Sequence, residues 1–133
     1  MNATEKQELI ALCELEGFEI VKRDGIVEVE VEGQKFPLVH PFAIYAKLFR
    51  EADNPENKYR YMVRMHHLLW PHLIPTWNFW DERRFRAHCE GHNYITYAGG
   101  ASTGKSFCAA EIAILFWLSD PSRHTVIVAS TTL

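Results

Sequence analysis

Residues 99–106, Gly99-Gly100-Ala101-Ser102-Thr103-Gly104-Lys105-Ser106, set two glycines with four residues between them ahead of a lysine and a hydroxyl residue. No other stretch restricts the chain so tightly. A loop without bulky side chains can turn its backbone N–H groups around a β-phosphate, at the positive end of the helix that follows. Lys105 then neutralises phosphate oxygens as a point charge. Ser106 offers its hydroxyl to a Mg²⁺ that bridges the outer phosphates, because a hard cation takes oxygen ligands and few of them from protein. Gly99, Gly100, Ala101, Ser102, Thr103, Gly104, Lys105 and Ser106 are therefore the candidate site. ATP and Mg²⁺ are the expected ligands, with Lys105 the candidate catalytic group and Ser106 the metal ligand.

Such a loop needs a buried strand before it and a helix after it. Upstream, Asn93-Tyr94-Ile95-Thr96-Tyr97-Ala98 is aromatic and β-branched and has the length of a strand. Downstream, Lys105 to Leu118 carries one acid, Glu111, in an otherwise apolar run, which predicts a helix buried nearly all round. Asp120-Pro121 stops it, and His124-Thr125-Val126-Ile127-Val128-Ala129 reads as the next strand of a parallel sheet. The expected fold class is α/β, the βαβ start of a P-loop NTPase with an incomplete parallel sheet, preceded by a small α+β and helical N-terminal region.

Hydrolysis in this class uses a second acidic site, an apolar strand ending in Asp and usually Glu. After Lys105 the only acids are Glu111, inside the helix, and Asp120, in the turn before Pro121. About 40 residues run from Asn93 to the end of the chain, against roughly 100 or more in a doubly wound domain. The expectation is the N-terminal portion of a longer ATPase, cut before its second acidic motif, that binds ATP without turning it over.

Residues 1–33 carry nine acidic and three basic side chains, residues 34–92 nine basic and six acidic. The acidic part opens with Thr4-Glu5-Lys6-Gln7, a capping-box spacing, and a helix that Gly17 can end. Phe18–Arg23, Asp24-Gly25 and Ile26–Glu32 read as a hairpin with alternating Val and Glu, covered by the Leu9, Ile10, Leu12, Cys13 side of the helix. Residues 37–92 look helical: a segment opening at Pro41, a second from about Asn57 to Trp70, a connector marked by Pro71 and Pro75, and a third from Trp77 to Glu90 that Gly91 ends. Three domains are thus expected: 1–36, 37–92 and 93–133.

Arginines interleaved with aromatics on these helices suit nucleic acid, but an outward-arginine, inward-aromatic packing explains them with less. His66, His67, His72, His88, Cys89 and His92 lack the two close ligand pairs of a structural zinc site. Cys108 is expected to pack beneath the loop. Cys13, Cys89 and Cys108 form an odd, scattered set that fits a reducing compartment. No membrane span is expected, since Phe107–Leu118 is interrupted by Glu111 and too short to cross a bilayer. No secretory leader is visible, and the expected location is cytoplasm, a host cell's included.

The run Trp80-Asp81-Glu82-Arg83-Arg84-Phe85, leading through Tyr94–Ala98 into the glycine loop and on to Val126-Ile127-Val128-Ala129-Ser130-Thr131, resembles the large terminase subunit of tailed bacteriophages. The likeness covers roughly residues 77–133. It implies an ATPase motor that packages double-stranded viral DNA, joined in the full protein to a metal-dependent nuclease domain. It further implies a homo-oligomeric ring with a portal and a small terminase subunit as partners. Gly99, Gly104, Lys105 and Ser106 carry over as the phosphate and Mg²⁺ site. Two departures stand out. Many members place an arginine inside the loop, where this chain has Ala101, so a finger must come from Arg83, Arg84, Arg123 or a neighbouring subunit. Many also present an upstream glutamine that reads adenine, and residues 81–86 contain none. The alternative is a nucleotide-binding module without turnover, of helicase-like or kinase-like type. An extended reading frame with an Asp-Glu strand end and later nuclease acids separates the two.

Overall fold

The computed structural model describes residues 1–92, 94–97 and 105–127. The chain divides into two compact units, Met1–Ile44 and Tyr45–Leu133.

The first unit begins with α1 (Ala3–Leu15). Its N-cap is Asn2 rather than Thr4: the Asn2 side chain accepts from the Glu5 amide at 2.8 Å, satisfying one of the helix's orphan donors. Glu16 caps the other end, and Gly17 takes the left-handed turn at φ +82°. Next come three antiparallel strands in the order β1 (Glu19–Arg23), β2 (Ile26–Val31), β3 (Gln34–Pro37). Asp24-Gly25 has φ of 50° and 78°, and Glu32-Gly33 has 51° and 81°. Positive φ at both central residues defines the type I′ turn, whose twist matches that of the strands it joins. The second turn was not read in the sequence, so the expected hairpin is a three-stranded meander.

Register explains the alternation. Ile20, Val29 and Phe36 stand in one cross-strand row, and Val31 lies on the same face. Val29, Val31 and Phe36 are buried with Ile10 and Cys13 of α1, while Glu28 and Glu30 take the opposite face. The Cys13 thiol donates to the Val39 carbonyl at 3.4 Å.

Beyond the sheet the chain is helical. α2 spans Pro41–Glu51 and α3 spans Pro55–Leu69. Asn54 caps α3, accepting from the Asn57 amide at 2.8 Å, with Pro55 at the first helical position, where a missing N–H is harmless. Pro71–Thr76 is a 3₁₀ helix. α4 (Phe79–Cys89) starts from a full capping box in which Asn78 and Asp81 each bond the other's backbone amide. Gly91, at φ +82°, turns the chain away after α4. α5 runs from Lys105 to Ser119.

In the second unit α5 packs against α3 and α4. Tyr61, Met62, Met65 and His66 of α3, Phe85 and Cys89 of α4, and Cys108, Ile112 and Leu115 of α5 are buried. Phe49 meets Phe116 edge to face at 5.5 Å. The Arg50 guanidinium donates to the Ser119 carbonyl at the last turn of α5, where the helix dipole favours a cation.

The α/β expectation is overturned. The protein is mostly helical, and the described residues contain one small antiparallel sheet and no parallel one. Residues 94–97 and 124–127, expected as flanking strands, join no ladder; Asn93, Ala98 and Val128–Leu133 lie outside the described residues. Tyr94 is 94% exposed and Ile127 85% exposed, the reverse of strands buried on both faces. The physical reason is that β-rich composition says only which side chains suit a pleated surface; a strand exists through bonds to a neighbour. A parallel neighbour must also be brought across a whole intervening helix before the first bond forms. Nor is α5 buried all round: Phe107 is 60% exposed, and Ile114 and Trp117 are each 44% exposed.

Candidate functional site

Among the described residues α5 runs over Lys105–Ser119, so the lysine and serine of the glycine motif are its first two described positions. The first turn of any helix has amides without intrahelical partners and carries the positive end of the macrodipole. Ser106 is exposed there. Gly99, Gly100, Ala101, Ser102, Thr103 and Gly104 lie outside the described residues. By residue type the motif suits a triphosphate with Mg²⁺: a lysine for phosphate oxygens and a hydroxyl for the cation.

The stripe of α5 that faces inward is Cys108, Glu111, Ile112, Leu115 and Ser119. Four of these five are apolar or small, and Glu111 is a carboxyl group inside the core. Its partner is His66 of α3: the His66 Nε2 and a Glu111 carboxyl oxygen form a buried hydrogen bond. Aromatic rings enclose the imidazole edge to face, with Trp77, Trp70 and Phe85 centroids at 5.0, 5.1 and 5.5 Å. His66 Nδ1 meets His67 Nδ1 at 3.0 Å.

Both members of this pair are driven toward their neutral forms. Burial lowers the imidazole to about 4, against a smaller upward pull from Asp81. Burial raises the carboxyl to about 7, and the charge of Asp81 adds to it. The consistent arrangement has Glu111 protonated and donating to Nε2, and His66 Nδ1–H donating to His67. Among the described residues no buried side-chain nitrogen or oxygen is left without a partner.

The remaining candidates are dispersed. Arg83 is exposed above the Phe79 ring, its guanidinium carbon 5.6 Å from the centroid. Arg84 is buried and faces the Tyr97 ring at 5.4 Å. Arg123 sits in an exposed turn, 3.6 Å from the Asp120 carboxylate. His88 accepts from the Tyr97 hydroxyl at 2.6 Å; burial lowers the imidazole and raises the phenol to about 12, so the phenol is the donor. This pair borders a cleft of about 340 Å³ against α5. Cys108 is buried and its thiol is raised to about 12, first by burial and then by Asp81 and Glu111, so it is a packed thiol and not a nucleophile. Among the described residues no three His, Cys, Asp or Glu side chains converge as a metal site. No described helix is long and apolar enough to cross a membrane.

The sequence reading missed the His66–Glu111 pair. Its signal was present in part: apart from Lys105, Glu111 is the one charged residue of α5. Neither that acid nor the adjacent histidines of α3, 45 positions earlier, names the other. Compared with protein-family models, curated proteins and solved structures, the chain matches none.

Proposed function

We propose that this chain binds the triphosphate of ATP, with Mg²⁺, through residues 99–106. In this reading it is the N-terminal portion of a DNA-packaging ATPase of the terminase large-subunit type. The observation that supports it is the helix α5 over Lys105–Ser119, which among the described residues opens with the motif's lysine and serine, as the motif requires of the segment after its glycines. Main-chain amides and the Lys105 ammonium hold the phosphates, and the Ser106 hydroxyl ligates Mg²⁺. When bound, the cation draws charge from the outer phosphate oxygens.

Turnover is not expected from these residues alone. Glu111 is sequestered by His66, and Asp120 accepts from the Ser122 hydroxyl at 2.9 Å and pairs with Arg123. Among the described residues neither carboxyl stands at the end of a strand. In the whole motor the partners are double-stranded DNA, further copies of the chain in a ring, a portal and a small subunit, all in the host cytoplasm.

Equilibrium binding of ATP·Mg²⁺ tests the proposal. Lys105→Ala removes charge-assisted contacts worth about 1.5–3 kcal/mol each, so affinity falls about tenfold or more. Equal affinity in the two proteins refutes the assignment. Hydrolysis above background that vanishes in Lys105→Ala refutes the expected lack of turnover.

A further inference from the structure

α5 has an unusual problem of orientation. Phe107, Ala109, Ala110, Ile112, Ala113, Ile114, Leu115, Phe116, Trp117 and Leu118 surround nearly its whole circumference with apolar side chains. Hydrophobic burial alone then selects poorly among rotations of the helix about its axis, because several faces would remove similar apolar area from water. One face is nonetheless chosen, and it is the one that carries the helix's single carboxyl group. Turning α5 by one residue, about 100°, would draw Glu111 away from His66. It would leave the buried Nε2 of His66 without a partner, which costs more than a rearranged methyl group. A buried polar contact that fixes register in this way is the best-attested use of such groups.

The rest of the surroundings fit that role. His66 cannot follow a rotated Glu111, because Trp70, Trp77 and Phe85 hold its ring from three sides. Among the described residues the other polar ties on α5 are weaker guides to rotation: Arg50 goes to the backbone carbonyl of Ser119 at the far end, and Arg84 bonds the Cys108 thiol, a weak acceptor beside a carboxyl group. Glu111 lies six residues from Lys105 on one continuous helix, a rise of about 9 Å. A rotation set at position 111 is therefore transmitted rigidly to positions 105 and 106.

We infer that the His66–Glu111 hydrogen bond is a positioning device: it selects one rotation of α5 and so fixes the azimuth at which positions 105 and 106 meet the phosphates. His66 and Glu111 are positioning residues in this account and touch no ligand. The inference rests on the nucleotide-binding reading for its functional consequence, though not for the rotation itself.

Two variants separate positioning from mere stability. Glu111→Gln keeps a donor for Nε2 and so keeps the contact. The double variant His66→Phe/Glu111→Met removes both polar groups at similar volume, which is neutral or stabilising for a buried pair. ATP·Mg²⁺ affinity, thermal midpoint and the amide chemical shifts of residues 105–109 without ligand are measured for each. The expected result is that at neutral pH Glu111→Gln resembles wild type in affinity and in the 105–109 amides. The double variant melts at or above the wild-type midpoint, shifts the 105–109 amides, and binds ATP·Mg²⁺ roughly three- to thirtyfold more weakly. Unchanged affinity and unchanged amides in the double variant overturn the inference, as does an equal loss of affinity in Glu111→Gln. A wild-type chain that binds no ATP overturns the nucleotide reading alone, and the ligand-free amide shifts then decide the rotation.

Discussion

Replacing one partner of the His66–Glu111 pair gives the protein a pH dependence that the intact pair suppresses. His66 in the fold lies near 4 against an ordinary 6.5, so its contribution to stability is present above 6.5 and is lost as pH falls toward 4. Glu111 lies near 7 against an ordinary 4.5, so its contribution is present below 4.5 and is lost as pH rises through 7. Between 4.5 and 6.5 the unfolded pair holds one proton, on the imidazole, and the folded pair also holds one, on the carboxyl. Folding moves that proton without taking up or releasing any, and the pair contributes no slope. In Glu111→Gln only His66 titrates, and stability relative to wild type falls by up to about 1.4 kcal/mol per pH unit between 6.5 and 4.5. In His66→Phe only Glu111 titrates, and relative stability falls with a similar slope as pH rises over the same interval. Asp81, which acts on both groups, and His67, Arg84 and Cys108 nearby are common to all three proteins, so differences from wild type cancel their contributions to first order. Urea midpoints at half-unit steps of pH measure the slopes. Two variants that both track wild type, or that slope in the same direction, refute the shared-proton description.

Other outcomes follow from local structure. Asn78→Ala removes the acceptor for the Trp80 and Asp81 amides and lowers stability by about 1 kcal/mol, read as a shift in urea midpoint at constant slope. Gly33→Ala forces a Cβ into φ +81° and destabilises the β2–β3 turn by roughly 1 kcal/mol, whereas Gln34→Ala on the exposed end of β3 stays within about 0.5 kcal/mol. Cys13, Cys89 and Cys108 are buried, with burial raising each thiol, so a disulfide reagent at pH 8 modifies them at the rate of opening and stoichiometrically only in denaturant.

The parts of the fold that were legible in the sequence are those set by local chemistry. Asp24-Gly25 announced its turn because Asx-type residues and glycine are the ones that most readily accept two successive positive φ values. Proline and glycine marked the ends of α2, α3 and α4 because one residue type lacks an amide and the other tolerates the left-handed turn. Glu32-Gly33 carried only half of that signal, a glycine without an Asx residue before it, and the short Gln34–Pro37 strand after it has too few apolar positions to show a period. The failures lie where the outcome depends on distant partners. Tyr94–Tyr97 has the composition of a strand, and its Tyr97 pairs instead with His88 of α4. The central polar contact of the second unit joins positions 66 and 111, and nothing within either local sequence specifies the other.

The proposed nucleotide site stands or falls with an anion site at Lys105 and Ser106. An amide-resolved titration of the ¹⁵N-labelled chain with ATP·Mg²⁺ examines that site directly. The predicted result is saturable shifts concentrated at Lys105, Ser106 and Phe107, reproduced by inorganic pyrophosphate and much weakened in Lys105→Ala. Shifts that avoid these amides, or that persist unaltered in Lys105→Ala, contradict it.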